Sequence, residues 1–214
     1  MTSRRTVVAG LATTALTATT GCIGFLTGQE ALTFAAEPAA VEASAAENAG
    51  YSSDGPRTES VERSFTVAGQ ERQVVAENEI NTYEKSLDLG FFEAKLGVFT
   101  VISTPAVEIA GQTLNPIGDY SNQQLVNLVQ SQYEGLSDVR EVSTQTITAQ
   151  GTQTEVTKYA AKATVSGQQV DVYIHVTKYR DGEDFIVAVG VYPQQLGGEE
   201  ENVLSMMRAI QHPV

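Results

Sequence analysis

Four strand-length runs follow one another between Val139 and Tyr192, and every gap between them carries a turn signal. Val139–Ala149, Thr154–Val165, Gln169–Lys178 and Phe185–Tyr192 are rich in Val, Ile, Thr and Tyr, residues that fit a pleated surface. Gly151 and Gly167 mark the first two breaks and Asp181-Gly182-Glu183 the third, while Pro193 stops the last run. Gaps this short are hairpin turns, not the long crossovers that parallel strands require. The second half of the chain therefore predicts an antiparallel meander, and the rest of the fold has to be built around it.

The first half supplies further strands and a few helices. Leu32-Thr33-Phe34 predicts a first strand. Pro38 suits a first helical turn, Ala39–Ala49 reads as a helix rich in Ala and Glu, and Gly50 closes it. Residues 51–60 are polar, contain Gly55-Pro56 and read as a loop. Val61–Ala68 and Arg72–Tyr83 predict a hairpin around Gly69-Gln70, and Leu87–Phe92 a connection. Val98–Ser103 predicts a buried strand, interrupted by Pro105. It resumes over Val107–Ala110, turns at Gly111-Gln112 and ends at Leu114-Asn115-Pro116.

Ser121 and Gln124 fit a capping box at the start of the clearest helix. Leu125, Val126, Leu128, Val129, Gln132 and Tyr133 would form its inward face, with Gly135 as its stop. A terminal helix is expected over Glu199–Ile210. Glu199, Glu200 and Glu201 lie at its positive end and Arg208 near the other, with Val203, Leu204, Met206, Met207 and Ile210 toward the sheet. The expected order is β-α-ββ-ββ-α-ββββ-α. In layer terms this is an α+β fold, a curved antiparallel sheet with helices packed against it.

The first 22 residues carry a different message. Arg4 and Arg5 form a positive pair, and the stretch from Val7 to Thr20 is too short to span a bilayer, which takes about 20 residues. Thr19-Thr20-Gly21-Cys22 ends it with a small residue before the chain's single cysteine. This is the layout of a twin-arginine export signal followed by a lipobox, cleaved between Gly21 and Cys22. Residues 1–21 are expected to be the signal, 22–29 a lipidated N-terminus and tether, and 30–214 one α+β domain. One acyl chain anchors marginally and two anchor stably, so a two-chain lipid on Cys22 would hold the protein at a membrane.

The balance of 13 Lys+Arg against 26 Asp+Glu gives a formal charge of −13. Arg4 and Arg5 would leave with the signal and make the mature chain more acidic still. Such a chain is not drawn to nucleic acid or to an anionic membrane surface. Its lysines are Lys85, Lys95, Lys158, Lys162 and Lys178. An acidic, lysine-poor surface suits concentrated salt, where the Debye length shrinks to about 3 Å at 1 M and carboxylates repel little.

Few residues offer chemistry. With Cys22 committed to lipid, the imidazoles are His175 and His212. Val170, Val172, Ile174 and Val176 share one face of their strand, so His175 lies on the other with Asp171, Tyr173 and Thr177, partly exposed. It could act as a base, but the simpler reading is a strand histidine bonded to a neighbour. His212 is expected to fray. Two distant histidines make no zinc spacing, and no nucleophile-elbow or phosphate-loop pattern is present. Asp181, Glu183 and Asp184, or Glu199–Glu201, could clasp a hard cation, although the first set lacks the spacing of a calcium loop and the second is a helix start, where carboxylates are expected anyway. Thr104-Pro105 with Leu114–Tyr120 forms a stiff loop that either presents a binding surface or aims the chain into the following helix.

Several runs resemble a family of haloarchaeal lipoproteins of unknown function. They are Val98–Pro105, Val107-Glu108 with Gly111, Asn115-Pro116 with Gly118, Asp171–Thr177 and Val189–Pro193. The likeness extends from the signal to the C-terminus. It implies halophily, export and a lipid anchor, and no activity or cofactor. A weaker likeness of shape is to PsbP-like domains, which are mostly non-catalytic binding or assembly modules. The resulting expectation is a non-catalytic binding or assembly module at the outer face of a cell membrane. Its expected partners are membrane lipid through Cys22 and other envelope proteins, not nucleic acid. A small-molecule or ion carrier is the alternative, and a hydrolase using His175 a second one.

Overall fold

The computed structural model describes residues 31–67, 70–88, 93–109, 112–133, 135–165 and 167–214. The described residues divide into two units, residues 31–32 with 63–67 and 70–74, and those of 33–62 with 75–214. In the first unit, residues 63–67 and 70–74 are strand. The second holds the meander, the helices and both histidines.

The strands are β1 (Leu32–Ala35), β2 (Ala40–Val41), β3 (Ser52–Val67), β4 (Gln70–Asp88), β5 (Glu93–Pro105), β6 (Glu108–Ile109), β7 (Gln112–Thr113), β8 (Leu136–Ala149), β9 (Thr152–Val165), β10 (Gln168–Asp181), β11 (Asp184–Pro193) and β12 (Ile210–Gln211). The helices are α1 (Ala43–Ala49), α2 (Asn122–Gln132) and α3 (Glu199–Arg208), with a 3₁₀ turn at Pro116–Asp119. Eight strands form the main sheet in the order β1-β4-β5-β11-β10-β9-β8, with β3 added on β4. The pairs β8–β9, β9–β10, β10–β11, β11–β5 and β4–β5 are all antiparallel. The mixed architecture, an open antiparallel sheet with helices, is therefore as the sequence indicates. Gly151, Gly167 and Gly182 have positive φ at the three meander turns, a backbone region glycine enters without a Cβ penalty.

Helices cover both faces of the central strands. Leu125 and Val126 of α2 pack on Val172, Ile174 and Val176 of β10 and on Val187 and Val189 of β11. The opposite face carries Phe99, Val101, Ile186, Ala188 and Tyr192, covered by α1 and by Val203, Leu204, Met206 and Met207 of α3. Gly190 makes this contact close. A Cβ there would stand 2.5 Å from Val203 Cγ1 and 3.3 Å from Phe99.

The capping box forms as read: Ser121 accepts from the Gln124 backbone, and the Gln124 side chain accepts from the Ser121 backbone. All five residues expected to face inward from the terminal helix are buried, although that helix ends at Arg208 and Ile210 is held in β12 instead.

Four local expectations are corrected. The first helix begins at Ala43, not Ala39, because Ala40-Val41 pair with Gln211 and Ile210 as β2–β12. Residues 52–60 are strand, not loop. On the side of a sheet a proline has no ladder hydrogen bond to lose, so Gly55-Pro56 does not break β3. On α2, Leu128 is 43% exposed and Tyr133 66%, so the inward face narrows to Leu125, Val126 and the half-buried Val129. The helix ends at Gln132, before Gly135, whose missing side chain instead admits Thr164, with a Cβ only 3.2 Å from its carbonyl oxygen.

Candidate functional site

The face of β10 opposite the valines bears Tyr173, His175, Thr177 and Tyr179, and it lies under α1 and α3. His175 is not partly exposed, as expected, but fully buried, because helices cover this face as well. Its Nε2 shares a hydrogen bond of 3.1 Å with the Tyr192 hydroxyl. The two rings stack at 5.7 Å with 17° between their planes, and Tyr173 meets Tyr192 edge-on at 5.9 Å. His175 Nδ1 has no partner among the described residues. Burial pushes the imidazole down to about 4, partly opposed by the Glu200 charge and assisted by Lys158. The ring is thus a neutral group held by packing and one hydrogen bond. Burial likewise raises the Tyr192 and Tyr179 phenols.

Lysines close the margin of this cluster. Lys158 Nζ lies 3.9 Å from the centre of the Tyr173 ring and 2.7 Å from Glu200 Oε2. Lys85 Nζ donates to Glu199 Oε2 at 2.7 Å and to the Ala49 carbonyl at 3.0 Å. It thereby ties the end of α1 to the start of α3. Arg208 takes Glu201 at 2.8 Å. Each of the three acids at the start of α3 is therefore engaged with a cation of this chain.

His212 is the residue that sequence reasoning missed. Far from fraying, it is buried with Nδ1 3.0 Å from Asp181 Oδ2 and Nε2 3.0 Å from Asp184 Oδ2. The β2–β12 pair delivers it there. Glu37 N also donates to Asp184 Oδ2 at 2.9 Å, and Gln150 Nε2 to the His212 carbonyl at 3.0 Å. Ser103 Oγ lies 3.4 Å from His212 Nε2. Serine, histidine and aspartate are together, yet not in the arrangement of a hydrolase. In a working triad one ring nitrogen faces the serine and the other the carboxylate. Here both nitrogens face carboxylates, and Ser103 is fully buried. Asp181 and Asp184, considered above for a cation, hold this imidazole instead. Among the described residues no group of three or more His, Cys, Asp or Glu side chains is placed to hold a metal ion.

The stiff loop serves the helix entry. Asn115 Oδ1 accepts from Ile117 N at 3.0 Å, while its Nδ2 donates to Thr104 Oγ1 and to the Pro105 carbonyl at 2.8 and 2.7 Å. Lys178 of β10 donates to the carbonyls of Ile117, Gly118 and Tyr120 at 2.9, 2.6 and 2.7 Å. All three ammonium hydrogens are spent on one turn, which fixes how the chain enters α2.

Arg4, Arg5, Gly21 and Cys22 lie outside the described residues. No helix among the described residues is long and apolar enough to cross a membrane.

Comparison with known proteins adds a family and little else. The family described as a domain of unknown function (DUF6517) matches residues 38–211. No curated protein matches the chain. Among solved structures, the chain is similar to a protein of unknown function, PA94, from Pseudomonas aeruginosa. The two share 14% identity over 69% of this chain and 94% of that one, with a TM-score of 0.41.

Proposed function

The chain belongs to the DUF6517 family, and from that premise we propose that it is an exported protein held at the outer face of a cell membrane by lipid on Cys22, where it serves as a non-catalytic binding or assembly module. The location rests on the Arg4-Arg5 pair and on Gly21-Cys22 after a short apolar run. The role rests on one observation: neither imidazole is offered to a substrate. His175 is enclosed beneath α3, and both ring nitrogens of His212 are taken by Asp181 and Asp184. General base catalysis requires a base within reach of the proton it removes. The finer likeness to PsbP-like domains belongs to the same proposal, supported by Tyr192-Pro193 closing β11 ahead of α3. The acidic surface suits work in concentrated salt.

Intact mass and membrane partition of the native protein beside a Cys22→Ser variant test the location. A lipid-sized mass increment and membrane retention, both lost in the variant, are expected. A native protein that is unmodified and stays in solution would overturn the anchor.

A further inference from the structure

One end of the main sheet is β8, which pairs with β9 on one side and has no strand on the other among the described residues. Its first part is irregular, with register breaks between Ser137 and Arg140 and between Glu141 and Ser143. From Ser143 to Ala149 the pairing with β9 is unbroken, Ser143↔Lys158 through Ala149↔Thr152. The outer rim of these seven residues is consequently a regular row of backbone donors and acceptors. Residues 140–146 are exposed whichever face they point to, as a free rim should be.

Proteins usually defend such a rim with charge, proline or a bulge. The segment Ser52–Glu62 of β3 shows those devices, carrying Pro56, Arg57, Glu59 and Glu62. Ser143–Ala149 has none. No charged residue occurs between Glu141 and Glu155, in a chain of net charge −13. Its sequence, Ser-Thr-Gln-Thr-Ile-Thr-Ala, favours strand pairing.

We propose that β8 is the surface through which the chain pairs with a second copy of itself, rim to rim and antiparallel about a two-fold axis at Thr146. Self-pairing rests on the assembly role proposed above and supplies its partner; it does not depend on the lipid. Charge selects the occupant. A basic partner would be drawn to the acidic surface elsewhere, whereas two copies of an acidic protein repel unless they meet where charge is missing. The two-fold pairing also fits residue by residue. Ser143 falls opposite Ala149, Thr144 opposite Thr148, Gln145 opposite Ile147, and Thr146 opposite itself. Arg140 and Glu141 lie beyond the end of the partner's β8 at Ala149, so no like charges face each other along the paired rim. An isologous contact of this kind closes after two copies and does not propagate.

Self-crosslinking of the full chain in its membrane tests this. Cys22 is the chain's only native cysteine, so the unmodified sequence serves as the blank. Thr146→Cys should give a covalent band of twice the mass on mild oxidation, and Val142→Cys, displaced from its own copy along the strand, should not. Adding Thr144→Lys and Thr148→Lys to Thr146→Cys sets lysine against lysine twice and should lower the yield about fivefold. Mixing that protein with a Thr144→Glu, Thr148→Glu, Thr146→Cys counterpart should restore it. Equal crosslinking at both positions, or none at Thr146 in a protein of unchanged thermal midpoint, would overturn the pairing. A crosslinked band of another mass would overturn self-pairing and leave the assembly role standing with a different partner.

Discussion

On one face of β10, Val172, Ile174 and Val176 meet Leu125 and Val126 of α2; on the other, Tyr173, His175, Thr177 and Tyr179 meet the layer of α1 and α3. Both faces are covered, the second leaving only Tyr173 half-buried, yet they are built on different principles. The first needs volume and shape alone. The second buries polar groups and must find each a partner, and it does not fully succeed. His175 Nδ1 and Tyr179 Oη are buried without one among the described residues. Each such atom costs about 1–3 kcal/mol. The polar face is thus the less stable but more specific layer, since hydrogen bonds fix which side chains can meet.

The sharpest break of this comparison is at the charged end of the polar face. His212→Ala leaves Asp181 and Asp184 facing each other's region without their imidazole, and Asp184 is buried. Leaving a buried acceptor without its donor costs about 1–3 kcal/mol, more for a carboxylate, and two carboxylates lose the ring here. Denaturant unfolding should show that loss, and a cost below about 1 kcal/mol would mean the tail contributes nothing, as the expectation of fraying held. On the apolar face, Ile174→Ala removes a fully buried side chain and should cost about 2–4 kcal/mol by cavity formation. That loss should be the same at every pH from 4 to 7.

The next prediction separates the faces by pH. Burial lowers His175 from its ordinary 6.5 to about 4. Above 6.5 the ring is neutral both folded and unfolded, and its stabilising contribution is complete. As pH falls from 6.5 toward 4 the unfolded chain takes up a proton that the folded one refuses, and stability drops by up to roughly 3 kcal/mol. His175→Gln should flatten that part of the stability profile relative to the parent. An unchanged slope between pH 6.5 and 4 would place the acid sensitivity in the carboxylates.

How much of this could be read from the sequence follows from the range of each interaction. The meander, its glycine turns, the capping box of Ser121 and Gln124 and the inward face of α3 are local features, and each was legible. The period-two pattern of β10 also assigned its two faces correctly. It failed on what covers them: Tyr, His and Thr on alternate positions resemble a solvated face, and no local signal announces a helix arriving from residues 199–208. The same limit hid His212, which reaches Asp181 and Asp184 through a two-residue strand pair spanning most of the domain. Lys178 left no local signal either, since the carbonyls it meets lie 58 to 61 residues earlier in the chain. Gly55-Pro56 misled because a turn dipeptide and an unpaired strand rim impose the same backbone tolerance.

The smallest effect is the most exacting test of the contrast. Tyr192→Phe keeps the ring that stacks on His175 and meets Tyr173, and it deletes only the hydroxyl. If the polar face is held by its hydrogen bonds, the cost should be about 1 kcal/mol, with the His175 imidazole then lacking a partner at either nitrogen. His175→Gln and Tyr192→Phe combined should cost less than the sum of the two, because the second change removes a bond that the first has already altered. Additive losses would mean that His175 and Tyr192 stabilise the layer by packing alone. The polar face would then obey the same rule as the valines behind it, and the distinction between the two faces would reduce to the His212 contact.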